Sequence, residues 1–234
     1  RSTCMMNRKA EEAYGFNPKE CYPEAYHKIM PEYLNDRDFI EPEFKDYMKL
    51  MNSRGVTTVK EMGFDDFYGF DSFLKEKEEK KELSLRTFFM SQPVGEGINI
   101  EHGKRMREKF QGDFVRFSGY NRMTDGTVAS TKGDLLEPYE GTNMHCSIQV
   151  DYPMIEKEVQ LADENGFRYS LHAQGDGAVH KVAGIFDKCQ KKDGKLVNRH
   201  AVTDMEFSNP ADLKKMGEIG AVSYTHLTLP TILR

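Results

Sequence analysis

Apolar positions along this chain recur at two alternating periods, one helical and one strand-like. From Glu41 onward, Phe44, Tyr47, Met48 and Met51 follow a helical period that Gly55 stops. VTTVKEM (56–62) has strand composition and ends on Glu61. The spacing then predicts a helix over 70–82, whose KEKEEKKE run reads as a solvated face, a strand LSLRTFFM over 83–90, and a helix over 101–111. Two strand-like pieces, 114–117 and 120–124, lead to Asp125-Gly126. A loop through Gly133, Pro138 and Gly141 runs from there to Asp151, long enough to be functional rather than a mere connection. Ile155, Val159 and Ala162 mark a helix closed by Asn165-Gly166.

Next comes the stretch around which the rest is arranged, FRYSLHAQGDG (167–177). Phe167, Tyr169 and Leu171 share one face of a strand that ends at His172. Gly175 and Gly177 permit a tight turn, and Asp176 caps a helix that buries Val179, Val182, Ala183, Phe186 and Cys189. A strand over 199–207, a helix opened by Asn209-Pro210 and a last strand beginning at Gly220 complete the pattern. Residues 1–40 are polar and broken by Pro18, Pro23 and Pro31. Short helices and loops are expected there, with Tyr22, Tyr26, Tyr33 and Phe39 packing onto a neighbour.

Strand and helix alternate about six times, which calls for crossover connections and a parallel sheet. Alternation alone leaves an open doubly wound sheet and a (β/α)8 barrel both standing. No GxGxxG or GxxxxGK[ST] follows any strand, which removes the main mark of a nucleotide-binding open sheet. In a barrel the strand-end residues Glu61, Asp125, His172 and Asp204 would share one rim, where barrel chemistry gathers.

Composition narrows the function. With 38% apolar and 30% charged residues in 234, the chain can bury one sizeable core. A net charge of -5, without a basic cluster, gives no pull toward nucleic acid. Cys4, Cys21, Cys146 and Cys189 are scattered and form no CxxC, which reads as reduced thiols in a cytoplasmic protein. No apolar run nears 18 residues, so no membrane span is expected. The chain begins at Arg1 rather than at a methionine, so an upstream leader stays open.

A histidine and carboxylates on one rim suit a divalent cation that would activate water for hydrolysis. Each residue also has a plainer reading. His172 can be a core histidine bonded to backbone, Asp176 a helix cap, and Asp125 a turn residue. Asp204 carries more weight, because in VTDMEF a carboxylate would sit between apolar strand positions, where an unpaired charge is costly. His145 and Cys146 are a conceivable metal pair, though surface or packing roles suit them better. His27, His102, His180 and His200 read as ordinary helix or surface residues. A metal-independent barrel using Glu61 or Asp125 as acid and base is a further reading.

Taken in order, GVTTVKEMG (55–63), MTDGTVAST (123–131) with LLEPY (135–139), HAQGDGAVHKV (172–182) and RHAVTDMEFSNPADLKKMGEIG (199–220) resemble the amidohydrolase superfamily, specifically the amidohydrolase-3 group of N-substituted formamide deformylase-like enzymes. HAxGD is the most specific of these motifs. The resemblance implies an α/β fold, a partial (β/α)8 barrel holding roughly strands two to seven and lacking the N- and C-terminal pieces. It also implies metal-assisted hydrolysis of amide-type C–N bonds in a small-molecule substrate. Residues 41–221 would be the barrel and 1–40 a peripheral segment.

By the same comparison His172 matches the family's metal-binding histidine on the fifth strand, and Asp125-Gly126 matches the DG after the fourth. Asn121 stands at the fourth-strand lysine that is often carboxylated to bridge two metals. Asp204 stands at the sixth-strand histidine, with Thr203 at its glutamate. The first-strand HxH and the eighth-strand aspartate lie outside this sequence. His172 and Asp204 are therefore the metal candidates and Asp125 and Asp176 the catalytic ones, with Asn121, Glu61 and His145 as weaker additions. One zinc ion is expected rather than two, no organic cofactor is implied, and homo-oligomerisation is open. As an incomplete barrel the chain itself would be inactive. The alternative is a diverged, metal-free barrel that binds a ligand or partner. The C-terminal VSYTHLTLPTILR (222–234) resembles a translated sequencing adapter more than a native strand and helix, which would remove His226 from any site.

Overall fold

Asp36 opens the first long helix by accepting the amides of Asp38 and Phe39 on its carboxylate, a side-chain cap that starts the helix at Arg37, four residues before Glu41. The structure, a computed structural model, describes residues 6–15, 28–63, 69–92 and 97–223. Its helices are α1 (Arg8–Tyr14), α2 (Met30–Asn35), α3 (Arg37–Ser53), α4 (Phe70–Glu79), α5 (Ile100–Lys109), α6 (Tyr152–Glu164), α7 (Asp176–Asp187) and α8 (Pro210–Ile219). The strands are β1 (Thr58–Glu61), β2 (Arg86–Ser91), β3 (Val115–Met123), β4 (Tyr169–His172), β5 (Lys191–Lys192), β6 (Lys195–Leu196), β7 (Ala201–Thr203) and β8 (Val222–Ser223). The chain divides into two compact units, Arg1–Glu96 with Lys104–Phe117, and Gly97–Gly103 with Ser118–Arg234.

In the first unit β1 runs parallel to β2, with Val59 opposite Thr87 and Glu61 opposite Phe89. The Thr87 amide donates to the Phe114 carbonyl at the head of β3 (2.7 Å). Helices α3 and α4 cover one face of these strands and form a core of Phe44, Phe70, Phe73, Leu74, Phe89 and Val115. The KEKEEKKE run is not wholly solvated, because Lys77 is buried. Its ammonium bonds Glu41 and Glu82 and sits 5.5 Å from the Phe73 ring centroid, so the aliphatic stem packs on the core while two carboxylates neutralise the head. Tyr33 and Phe39 stay half-exposed and pack edge-to-face on each other at 5.0 Å. Pro18, Tyr22, Pro23 and Tyr26 lie outside the described residues.

In the second unit β3, β4, β7 and β8 pair in parallel, so the six-stranded order β1-β2-β3-β4-β7-β8 follows the chain. The fold is thus mixed α/β with crossover helices, as the alternation requires. β5 and β6 form a separate antiparallel hairpin through Asp193-Gly194, both at positive φ, which the sequence reading passed over although Asp-Gly is a strong hairpin signal. Two further differences concern strand bounds. β3 is one strand where two pieces were expected. Gly119, at φ +110, carries the chain through, and its missing side chain lets the Tyr120 amide reach the Arg168 carbonyl at 3.0 Å. β7 stops at Thr203, because Asp204 turns into the left-handed region at φ +55. Val222 and Ser223 pair with Ala201 and Val202, so this much of the proposed foreign tail is a strand of the sheet; 224–234 lie outside the described residues.

A β-carbon built on Gly119 would lie 2.0 Å from the Arg168 oxygen, whereas one on Gly184 in α7 would meet nothing within 4 Å. Gly119→Ala should cost about 3 kcal/mol or more through strain and clash, and Gly184→Ala should be neutral or stabilise by up to about 1 kcal/mol. Urea unfolding midpoints of the two variants check the contrast.

Candidate functional site

The strand register divides the second unit's sheet into two chemically distinct faces. On one face, Arg122 and Tyr169 meet Glu158 of α6. The guanidinium is bidentate to the carboxylate (2.7 and 2.9 Å), and the phenol donates to it at 2.8 Å. This is the helix-covered side, and burial with the adjacent carboxylate pushes the Tyr169 hydroxyl up from its ordinary range. Alternation then places Asn121, Met123, Ser170, His172 and Thr203 on the opposite face. Asn121 pairs with Ser170, and His172 pairs with both Met123 and Thr203.

That second face is polar and under-satisfied. Asn121 Oδ1, Ser170 Oγ and His172 Nδ1 are all buried and make no hydrogen bond. Three orphaned acceptors or donors on one stretch of sheet are unusual, since buried polar atoms are normally paired. His172 Nδ1 lies 3.2 Å from Asp125 Oδ1, close enough for electrostatic attraction to the carboxylate, although it makes no hydrogen bond.

Asp125 is fully committed. Its Oδ1 accepts the Gln174 amide (3.0 Å), and its Oδ2 accepts the amides of Gly175 (2.9 Å) and Asp134 (3.0 Å). It therefore ties the end of β3, the turn after β4 and the long loop to one carboxylate. The rest of the HAQGDG turn adds to the knot. Gln174 Oε1 accepts the Val128 amide at 2.6 Å, and Asp176 Oδ1 accepts the Leu136 amide at 2.9 Å. Gly175 and Gly177 are glycines for packing, because a β-carbon at either would lie 2.1 or 2.8 Å from the Asp134 carbonyl oxygen. The buried Asp134 carboxylate in turn takes Tyr152 Oη (2.5 Å) and Lys181 Nζ (2.7 Å), and Lys181 lies over the Tyr152 ring at 4.4 Å. Asp134, Tyr152, Gln174 and Lys181 were missed from sequence; two glycines bracketing an aspartate were the available sign that another backbone passes close by.

Asp204 is exposed and stands just beyond β7, not between buried apolar positions, so the desolvation argument made for it does not apply. It follows Thr203, the neighbour of His172 across the ladder. His145 Nδ1 sits 2.9 Å from the Leu135 carbonyl and the Cys146 thiol donates to the Lys132 carbonyl at 3.2 Å, so both serve the loop's own backbone. Glu61, in the other unit, accepts the amides of Met62 and Gly63. His102 and His200 are buried rather than superficial, whereas His180 is exposed and bonded to Asp212. His27 and His226 lie outside the described residues.

Among the described residues, one set of three metal-type side chains lies within 4.8 Å of one another: Asp163, Cys189 and His200. Its hydrogen bonding argues for a structural hub. The Tyr169 amide donates to His200 Nδ1 (3.0 Å), which fixes the proton on Nε2, and Nε2–H donates to Asp163 Oδ1 (2.9 Å). Neither nitrogen is left to ligate. Asp163 also takes Asn198 Nδ2 and the Gln190 amide, each at 2.7 Å, and burial pushes the Cys189 thiol up to about 12, so it keeps its proton. The hub lies at the start of β7 and β4, whereas His172 ends β4.

No family model matches the chain. Over 188 residues it is 21% identical to Protein LONG AFTER FAR-RED 3 of Arabidopsis thaliana, an overlap of 73% of this chain and 31% of that protein. Its fold is similar to that of an uncharacterized metal-dependent hydrolase from Pyrococcus furiosus (TM-score 0.73, 17% identity, 98% of this chain and 49% of that one). It is also similar to one from Pyrococcus horikoshii OT3 (TM-score 0.70, 16% identity, 93% and 45%). The chain thus spans about a third of the curated relative and just under half of each solved structure.

Two outcomes follow. Asp125→Asn keeps the side chain's shape but turns one acceptor into a donor facing an amide, and should cost about 3 kcal/mol. Urea unfolding reads the loss, and faster hydrogen exchange at Asp134, Gln174 and Gly175 locates it. For His200, burial lowers the imidazole below its ordinary 6.5, with Asp163 opposing. The unfolded chain therefore binds the proton more readily, and His200's contribution is complete above about pH 6.5 and lost as the pH falls below it. His200→Gln should flatten the fall in unfolding free energy between about pH 7 and pH 5.

Proposed function

We propose that this chain is the middle portion of a (β/α)8 barrel, roughly strands two to seven, from a cytoplasmic metal-dependent hydrolase of the amidohydrolase-3 type. The parent would cleave C–N bonds of small amides or formamides. The observation that carries this reading is the buried His172 at the end of β4, whose Nδ1 makes no hydrogen bond, on the same face as the unsatisfied Asn121 and Ser170. An imidazole nitrogen not engaged in a hydrogen bond is a donor that a borderline divalent ion such as zinc takes.

The donor set fits one ion better than two. Asn121 offers a neutral carbonyl oxygen in place of a bridging group, and both oxygens of Asp125 are occupied by backbone amides. His172 and Asp204 would hold the ion, with the remaining donors from the parent barrel's other strands. The cation supplies Lewis acidity, lowering the pKa of a water and polarising a carbonyl. This chain's own residues position. Asp125 and Asp176 clamp the loop beside His172, and the Asp134–Lys181–Tyr152 cluster fixes that loop against α7. Such clamping keeps an approaching carbonyl in one orientation.

The full-length parent should retain about one divalent ion per chain by elemental analysis and hydrolyse an N-substituted formamide, with activity lost on chelation and restored by zinc. His172→Ala should abolish both ion retention and turnover. Unchanged ion content in His172→Ala would sink the proposal, and a folded parent with neither ion nor turnover would favour a metal-free binding module instead.

A further inference from the structure

Arg168 and Arg199 stand side by side just before β4 and β7 begin. Ser170 pairs with Ala201, so stepping the parallel ladder back two residues sets Arg168 beside Arg199, about 5 Å away at the ordinary spacing of neighbouring strands. Like charges placed opposite one another destabilise a sheet. Among the described residues neither guanidinium makes a hydrogen bond or an ion pair, and the buried Nε of Arg168 has no acceptor. Arg122 on the adjacent strand shows the usual remedy, a bidentate carboxylate from Glu158. The neighbouring carboxylate of Asp163 is already taken by His200, Asn198 and the Gln190 amide. Burial, with the charge of Arg199 adding to it, lowers the Arg168 guanidinium below its ordinary range. Arg199 is exposed and held at φ +43, in the left-handed region that an arginine rarely adopts.

We propose that Arg168 and Arg199 form a binding site for a phosphate-type dianion at the start of β4 and β7, with one guanidinium fork on each side of the ion. A planar fork matches two oxygens of a tetrahedral oxyanion, and two forks supply the two positive charges that a dianion answers. Contact runs through the terminal nitrogens, because the Nε of Arg168 is closed off from solvent. A monocarboxylate would leave one guanidinium unanswered. Inorganic phosphate and the phosphoryl group of a small monoester present the same terminal oxygens, so both are ligands of the required chemistry. The site lies about 13 Å along β4 from His172 and does not depend on any hydrolytic role.

The test is thermal unfolding of the intact chain in sodium phosphate against sodium chloride of equal ionic strength. Phosphate should raise the midpoint saturably, whereas its general salting effect grows without saturating. Arg168→Met, which keeps an apolar stem in place, should raise the half-saturating phosphate concentration about tenfold or more. Arg199→Gln, at an exposed position, should do the same and stands in if Arg168→Met does not fold. Arg199→Lys, which keeps the charge without the fork, should retain part of the effect. In chloride Arg168→Met should unfold no earlier than the unaltered chain, because the repulsion is gone; an arginine with a merely structural role would lower the midpoint equally in both salts. Phenyl phosphate binding as tightly as inorganic phosphate identifies a monoester as the ligand, and inorganic phosphate binding alone identifies the free ion. Absence of saturable stabilisation over chloride would overturn the proposal. So would a phosphate effect that Arg168→Met and Arg199→Gln both leave unchanged, or acetate binding as tightly as phosphate.

Discussion

One carboxylate holds the strand-end face together. Asp125 accepts three backbone amides, from Asp134, Gln174 and Gly175, and so joins the end of β3, the loop after it and the turn after β4. Hydrogen bonds to a charged acceptor contribute about 1.5–3 kcal/mol each, and burial of the side chain keeps water from competing for them. A long polar loop would otherwise lose too much conformational entropy to stay in one place. The glycines at 175 and 177 complete the arrangement by letting the Asp134 carbonyl lie against the turn.

The opposite end of the same strands is closed by a different device. His200 is held between the Tyr169 amide and Asp163, stacked on Phe186 at 5.2 Å, with every polar atom answered. The contrast between the two histidines is informative. One is fully hydrogen-bonded where the strands begin, and its burial serves cohesion. The other ends its strand beside Asp125, with a nitrogen that makes no hydrogen bond among further unsatisfied atoms.

The period of the apolar positions was enough to locate most elements, because helix and strand bury different residue spacings. The helix after Asp176, the strand ending at His172 and the parallel order all follow from it. Boundaries were less legible. β3 runs through Gly119 only because the Arg168 carbonyl lies beside it, and β7 stops at Thr203 because the next residue, Asp204, turns left-handed. Neither neighbour is written in the local pattern. The same is true of Lys77, which a charge run disguises as solvated although two carboxylates and an aromatic ring enclose it.

By itself the sequence determined the α/β alternation, the glycine-aspartate turn and the placement of His172 at a strand end, since each depends on residues close together in the chain. Only the tertiary structure decided which polar groups were already engaged. Whether Asp125 or His200 is free to react depends on backbone amides contributed from up to 50 residues away, and no local pattern records those distances.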